Sequence, residues 1–256
     1  MPQPDADALS AEFLADTRAV MERIHVEERE ALARAAARMA DQIAADRLIH
    51  IFGPGGHSNL AAQELFYRAG GLMHIAPILD EATLLSNGAL RSTTSERTSG
   101  YGSRVIAEYG LGPDSLLILV NAFGVNAAVI DAAIEARARG TFTIGLSSRA
   151  CVDAIPAGHI ARHPSGKNLH ELVDIAIDTK VPLGDAVLTM PGLAERIGSI
   201  STFANATALH LLAIRTVATL VARGIEPPIW RSRNAPGGDE ANARLVDSFQ
   251  ERVRFL

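Results

Sequence analysis

Several short stretches of the chain carry residue types that can hold a ligand, and three of them directly follow apolar runs. The first is "FGPGGHSN" (52–59). Its glycines, Gly55 and Gly56 among them, let backbone come close to a ligand. The helix it opens offers unpaired N–H groups and a partial positive charge. Ser58 can cap that helix or touch the ligand; the plain alternative is a tight turn that holds nothing. The second, "ILVNAFGVNA" (118–127), has Gly124 and two amides, Asn121 and Asn126, but no Ser, Thr, Lys or Arg in the turn. The third, "LSSR" (146–149), brings Ser147 and Ser148. A fourth segment, "ARHPSGKNLHE" (161–171), gathers Arg162, His163, Ser165, Lys167 and His170 on a loop made irregular by Pro164 and Gly166. Its cations can pair with an anion and its histidines can move protons; otherwise it is a solvated basic loop. Later in the chain, Ser199, Ser201 and Thr202 start an apolar helix, another N-terminus suited to an anion. "NAPGGDEAN" (234–242) offers Asn234, Asp239, Glu240 and Asn242, with a helix cap at Asp239 as the simpler reading.

The elements that must position these residues alternate. Apolar runs at 47–53, 73–79, 114–120, 141–148 and 172–178 read as strands. Helical patterns fall at 58–71, stopped by Gly70 and Gly71, at 95–110 and at 126–140. A helix at 200–224, apolar all round, reads as buried, with His210 as a core histidine. This rhythm predicts a three-layer α/β sandwich around a five-stranded parallel sheet. In such a sheet the ligand lies beyond the carboxyl ends of the strands, where the first three loops line up. Residues 1–45 form an N-terminal helical segment that covers the core or a partner subunit. Residues 46–225 form the main domain, and 226–256 a turn-rich loop with a last helix.

The 256 residues are 48% hydrophobic and 21% charged, with a formal charge of −5. That balance gives no reason to expect nucleic acid or an acidic membrane as partner. One cysteine, Cys151, excludes a disulfide framework within the chain and has no adjacent base to activate it. No basic, apolar leader opens the sequence and no run reads as a membrane span, so a cytoplasmic location is expected. No metal-ligand spacing, cofactor fingerprint, G-x-S-x-G elbow or Walker loop is present.

Taken together, "FGPGGHSNLAAQELFYRAGGL", "RHPSGKNLHELVDIAID", "GSISTFANA" and "PGGDEAN" resemble the sugar isomerase (SIS) domain family, in particular its stand-alone bacterial phosphosugar isomerase subgroup. The resemblance runs over nearly the whole chain and is weaker in the N-terminal helices. It implies a sheet of flavodoxin-like order, a small anionic sugar as substrate, and assembly as dimers or tetramers with shared sites. It also implies aldose–ketose isomerisation, with Glu64 on the first helix after the sheet begins as the base. The alternative for Glu64 is an i, i+4 ion pair with Arg68. His57 would relay protons and His163 would open the ring. Most SIS members hold phosphate with hydroxyls after the third strand; here Asn121, Phe123 and Asn126 stand in those places. Since Phe123 donates nothing, the departure favours a 6-sulfo sugar (sulfoquinovose to sulfofructose) beside an ordinary sugar phosphate. Two other classes resemble the same domain: a phosphosugar lyase or etherase, and a non-catalytic sugar-binding regulator.

Overall fold

Five parallel strands make the sheet: β1 (Ile49–Phe52), β2 (Ile75–Ile78), β3 (Leu116–Val120), β4 (Phe142–Ser147) and β5 (Ile175–Asp178), in the order β2-β1-β3-β4-β5. This is the expected αβα sandwich in flavodoxin-like order. Strand alternation sorts the core. Leu116, Ile118 and Val120 of β3 face one layer; Leu117 and Leu119 face the other. The computed structural model describes residues 5–256.

The first layer is built from α2 (Arg29–Ala44), α3 (Gly56–Leu65) and α9 (Ser201–Ala222), whose apolar residues form one cluster with the sheet. The opposite layer holds α5 (Tyr101–Glu108), α6 (Ala127–Ala138) and the short α8 (Leu169–Leu172). The N-terminal region is two helices. α1 (Ala6–Glu27) packs Leu9, Phe13 and Val20 on a small hairpin, β6 (Ala186–Leu188) with β7 (Ile197–Ser199), which the sequence pattern does not announce. Where α1 turns into α2, Lys180 Nζ meets Glu28 at 2.6 Å, Glu27 at 3.1 Å and Asp178 at 3.1 Å. Burial opposes its charge, but these three bonds outweigh that and hold its pKa above the usual lysine value.

Four expectations need correction. The helix expected over 58–71 ends at Leu65, where Phe66 turns extended and Tyr67 takes a φ of 49°. The chain leaves the helix there to bond the C-terminal tail: Gly70 N–H donates to the Trp230 carbonyl, and Trp230 N–H to that of Gly71. The helix expected over 95–110 is two, α4 (Ala89–Arg97) and α5, broken at Gly100 (φ 83°). Finally, α9 is not buried all round, since Phe203, Ile214 and Val221 lie exposed along one side. Contrary to expectation, its length and composition would suffice for a membrane span, yet its other sides pack on α1, α2 and α3. The short α7 (Arg149–Ala154) follows β4, and after α9 the last helix is α10 (Gly238–Phe249), which pins Trp230, Phe249 and Val253 against Met73 and Ala76.

Candidate functional site

The loops at the carboxyl edge of the sheet converge as expected. After β1, Gly53 must be glycine because a Cβ would strike the Ser58 carbonyl. Gly55 (φ 102°) starts α3 without a side-chain cap. Ser58 is buried and His57 exposed on the first turn. After β3, Asn121 is buried and organises the turn: its Oδ1 accepts the Gly124 N–H at 2.8 Å. Its amide donates to the Pro54 carbonyl at 3.4 Å and to Glu96 Oε1 at 3.0 Å. Gly124 (φ 63°) packs so closely on Ser147 that a Cβ would come within 2.8 Å of the Ser147 hydroxyl. Ser148 donates to the Val181 carbonyl and caps α7 through Cys151 N–H, so it is a structural hydroxyl.

Glu96 is a further member of this group. It enters from α4, with its carboxylate directly over Gly55. Burial raises its pKa, only partly offset by the Asn121 bond and the nearby Arg97 charge.

The basic loop is stitched onto the same edge. His163 N–H donates to the Val125 carbonyl and Leu169 N–H to that of Gly124. His163 Nε2 meets Asp131 at 2.9 Å, while Nδ1 faces the Ser165 hydroxyl at 2.7 Å. Both ring nitrogens are therefore engaged, and the ring ties α6 to the loop. Arg162 is spent on the carbonyls of Val152 and Ile155 and on Asn168 Oδ1, where it closes the end of α7. That leaves no free edge of its guanidinium for an anion. Lys167 lies on the outer surface, beside Ile134, Arg137, Glu171 and Leu172.

Glu64 sits elsewhere. Eight residues along α3 from Gly56, it stands about 12 Å from the loops by helical rise. Its Oε1 takes both Arg68 Nε at 3.0 Å and His210 Nε2 at 2.9 Å. The ion pair expected from spacing is thus real, and it is joined by a histidine that sequence reading placed in the core. His210 keeps 44% of its side chain exposed and Glu64 27%. A cavity of about 180 Å³ opens over them, walled by Gly70, Gly71, Ile214 and Ile229. The missed signal was the stripe Phe203, His210, Ile214, Val217, Val221 along α9, where a histidine falls on the side left uncovered.

The remaining candidates do not join either place. Ser199 is exposed on β7. Asp239 pairs with Arg233 at 2.6 Å, Glu240 is exposed, and Asn242 holds both backbone groups of Arg231 at 2.9 Å. The tail folds back on its own chain: Arg233 also donates to the Tyr67 hydroxyl, just past α3. Among the described residues, no cluster of three or more His, Cys, Asp or Glu is placed to hold a metal ion.

The model of the SIS domain matches residues 12–148, more than half of the chain. The chain belongs to the SIS domain family. A UPF0309 protein of Brucella anthropi is 38% identical over 227 residues, covering 89% of this chain and 90% of its own. One of Streptomyces griseus is 35% identical over 249 residues, 96% and 97% of the two chains. Among solved structures, the phosphoheptose isomerase of Neisseria gonorrhoeae superposes with a TM-score of 0.54 at 15% identity, over 84% of this SIS chain and 98% of that one. That of Francisella tularensis gives 0.51 at 14%, over 84% and 100%. At such identities the likeness is one of fold.

Proposed function

We propose that this SIS protein is an aldose–ketose isomerase of an anionic sugar, with Glu64 as the base. The observation that carries the reading is the Glu64–His210 pair at 2.9 Å, open to a cavity. His210 and Arg68 share Oε1, which leaves Oε2 to take the C2 proton of an open-chain aldose and return it to C1 of the cis-enediol. A carboxylate on Nε2 sets the histidine tautomer. Nδ1 is then the acceptor for a sugar hydroxyl, so His210 takes the role of moving hydroxyl protons that the sequence gave to His57 and His163. The phosphoheptose isomerases of similar fold agree with this class of chemistry.

The anionic end of the substrate is a 6-sulfonate or a phosphate; the loss of hydroxyl residues after β3 favours sulfoquinovose. No end of one small sugar spans about 12 Å from Glu64 to the loops of the same chain. The substrate therefore lies where a second copy brings its own loops or tail, and the exposed apolar side of α9 (Phe203, Ile214, Val221) is the surface for that assembly. An etherase would need a second carboxyl beside Glu64, and Glu64 is the one carboxylate of this chain that lines the cavity. The test is incorporation of solvent deuterium at C2 over a panel of sugar phosphates and sulfoquinovose. Wild type should exchange at least one of them; failure with every sugar sinks the isomerase reading.

A further inference from the structure

The far wall of the Glu64–His210 cavity comes from the C-terminal tail. Ile229 lines it together with Gly70 and Gly71, which follow α3. Residues 228–230 run antiparallel to that stretch. Met73 N–H donates to the Pro228 carbonyl, Gly70 N–H to that of Trp230 and Trp230 N–H to that of Gly71, with Leu72 and Ile229 as bridge partners. Pro227 and Pro228 stiffen the approach, because each ring fixes its own φ. Further contacts tie the tail to the end of α3. The buried Trp230 ring meets the Tyr67 ring edge-on, 4.8 Å between centroids. The Tyr67 hydroxyl accepts from Arg233 Nη1 at 2.8 Å, and Arg233 Nε pairs with Asp239 at 2.6 Å. Tyr67 itself has a φ of 49°, a left-handed conformation that a residue with a Cβ adopts at a cost. Such strain persists only where the surroundings over-determine it, and it gathers at active sites and ligand clamps. Here it falls three residues after Glu64.

The cavity measures about 180 Å³, below the roughly 300–1,000 Å³ of sites that enclose a whole small ligand. It takes the reacting end of a molecule and leaves the rest outside. Against the polar Glu64, Arg68 and His210 stand five apolar side chains, Leu65, Ala213, Ile214, Val217 and Ile229. Four of these five belong to α3 or α9, whose packing on the sheet fixes them; Ile229 alone is carried by the tail. A bulky group turned toward it meets a β-branched side chain with little rotamer freedom. A hydroxyl turned toward it loses its hydrogen-bond partner. We propose that Ile229 is a specificity-determining residue: held in place by the Tyr67–Trp230–Arg233 clamp, it bars bulky substituents from the end of the substrate on which Glu64 acts. This deepens the reading of the pocket as an isomerase site and rests on it.

Hydroxamates test this wall without turnover, since their planar C(=O)–N–OH group copies the two oxygens of a cis-enediol. Glycolohydroxamate carries a small group beside it and benzohydroxamate a bulky one. Both are titrated into wild type, Ile229→Ala and Ile229→Val. Binding is read by calorimetry and by the fluorescence of Trp230, the one tryptophan of the chain and the neighbour of Ile229. Wild type should bind glycolohydroxamate the more tightly. Ile229→Ala should bind benzohydroxamate tenfold or more tighter than wild type does, with glycolohydroxamate changed less than threefold. Ile229→Val keeps a branched side chain and should move the same ratio in the same direction by a smaller factor, which decides the matter should the alanine variant not fold. A ratio unmoved in the folded variants overturns the proposal, as does a wild type that binds neither hydroxamate. Deuterium exchange keeps the two readings apart. A protein that exchanges no sugar yet shows the shift loses the isomerase reading alone; one that exchanges a sugar with the ratio unmoved loses the wall alone.

Discussion

The loop edge of the sheet and the Glu64–His210 pocket are built on opposite plans, although one helix, α3, runs from one to the other. At the loop edge the side chains of Asn121 and Ser148 are spent on structure: Asn121 serves Gly124, Pro54 and Glu96, and Ser148 serves Val181 and Cys151. In the pocket a single carboxylate oxygen carries both contacts, and the partners are half in solvent. Buried, satisfied groups fix a shape. Open, under-committed ones are what a reaction needs, since a base must be free to take and release a proton. The difference teaches that the loops hold a shape and the pocket is free to react, and that mutations in the two should fail in different ways.

The sharpest break comes from Glu64→Gln. It should lower C2 deuterium exchange by about 10²–10⁴-fold, the usual worth of a general base, with the melting temperature nearly unchanged. A large stability loss with exchange intact would reverse the roles assigned to the two regions. Asn121→Ala should do the opposite. It leaves Glu96 without its donor and the Gly124 N–H without its acceptor, at a cost of about 1–3 kcal/mol of unfolding free energy for a buried group left unsatisfied. Urea denaturation reads it directly.

How much of this was legible beforehand depended on distance along the chain. The strand runs and the loop glycines are local signals, so the parallel sheet and the convergence of Gly55, Gly124 and Ser147 could be read from them, while the strand order came only from the resemblance to the SIS family. The Glu64–Arg68 pair is also local, one helical turn apart. His210 lies 146 residues from Glu64, and Glu96 lies 25 from Asn121. Nothing periodic links such partners; only packing of α9 on α3, and of α4 over the β1 loop, brings them together. For the same reason Arg162 looked like an anion donor: its charge is visible in sequence, but the carbonyls that consume it are not.

The loop edge also has a signature in pH. Glu96 has a folded pKa raised above the ordinary 4.5. The native state therefore holds its proton to higher pH than the unfolded chain, and stability falls as pH rises from about 4.5 through the raised value. Glu96→Gln removes that loss. The variant should melt above wild type at pH 7 and converge with it below the unfolded pKa. A variant that is less stable at neutral pH would mean that the bond from Asn121 and the Arg97 charge outweigh the cost of burying the carboxylate.

Arg68→Ala is the gentlest of these changes and separates two meanings of one ion pair. The Arg68 side chain is 55% exposed, and pairs of that kind contribute about 0.2–1 kcal/mol to stability. If the pair only decorates the helix surface, denaturation should register that small loss, weakened further by salt, and exchange should proceed as in wild type. Arg68 and His210 compete, however, for the same Oε1. Removing the guanidinium lets the carboxylate turn about its remaining contact, so the base loses its fixed orientation toward C2. A fall in kcat with KM unchanged, in a protein of near-wild-type stability, would show that Arg68 positions Glu64. No change in kcat would leave His210 as the sole group that holds the base.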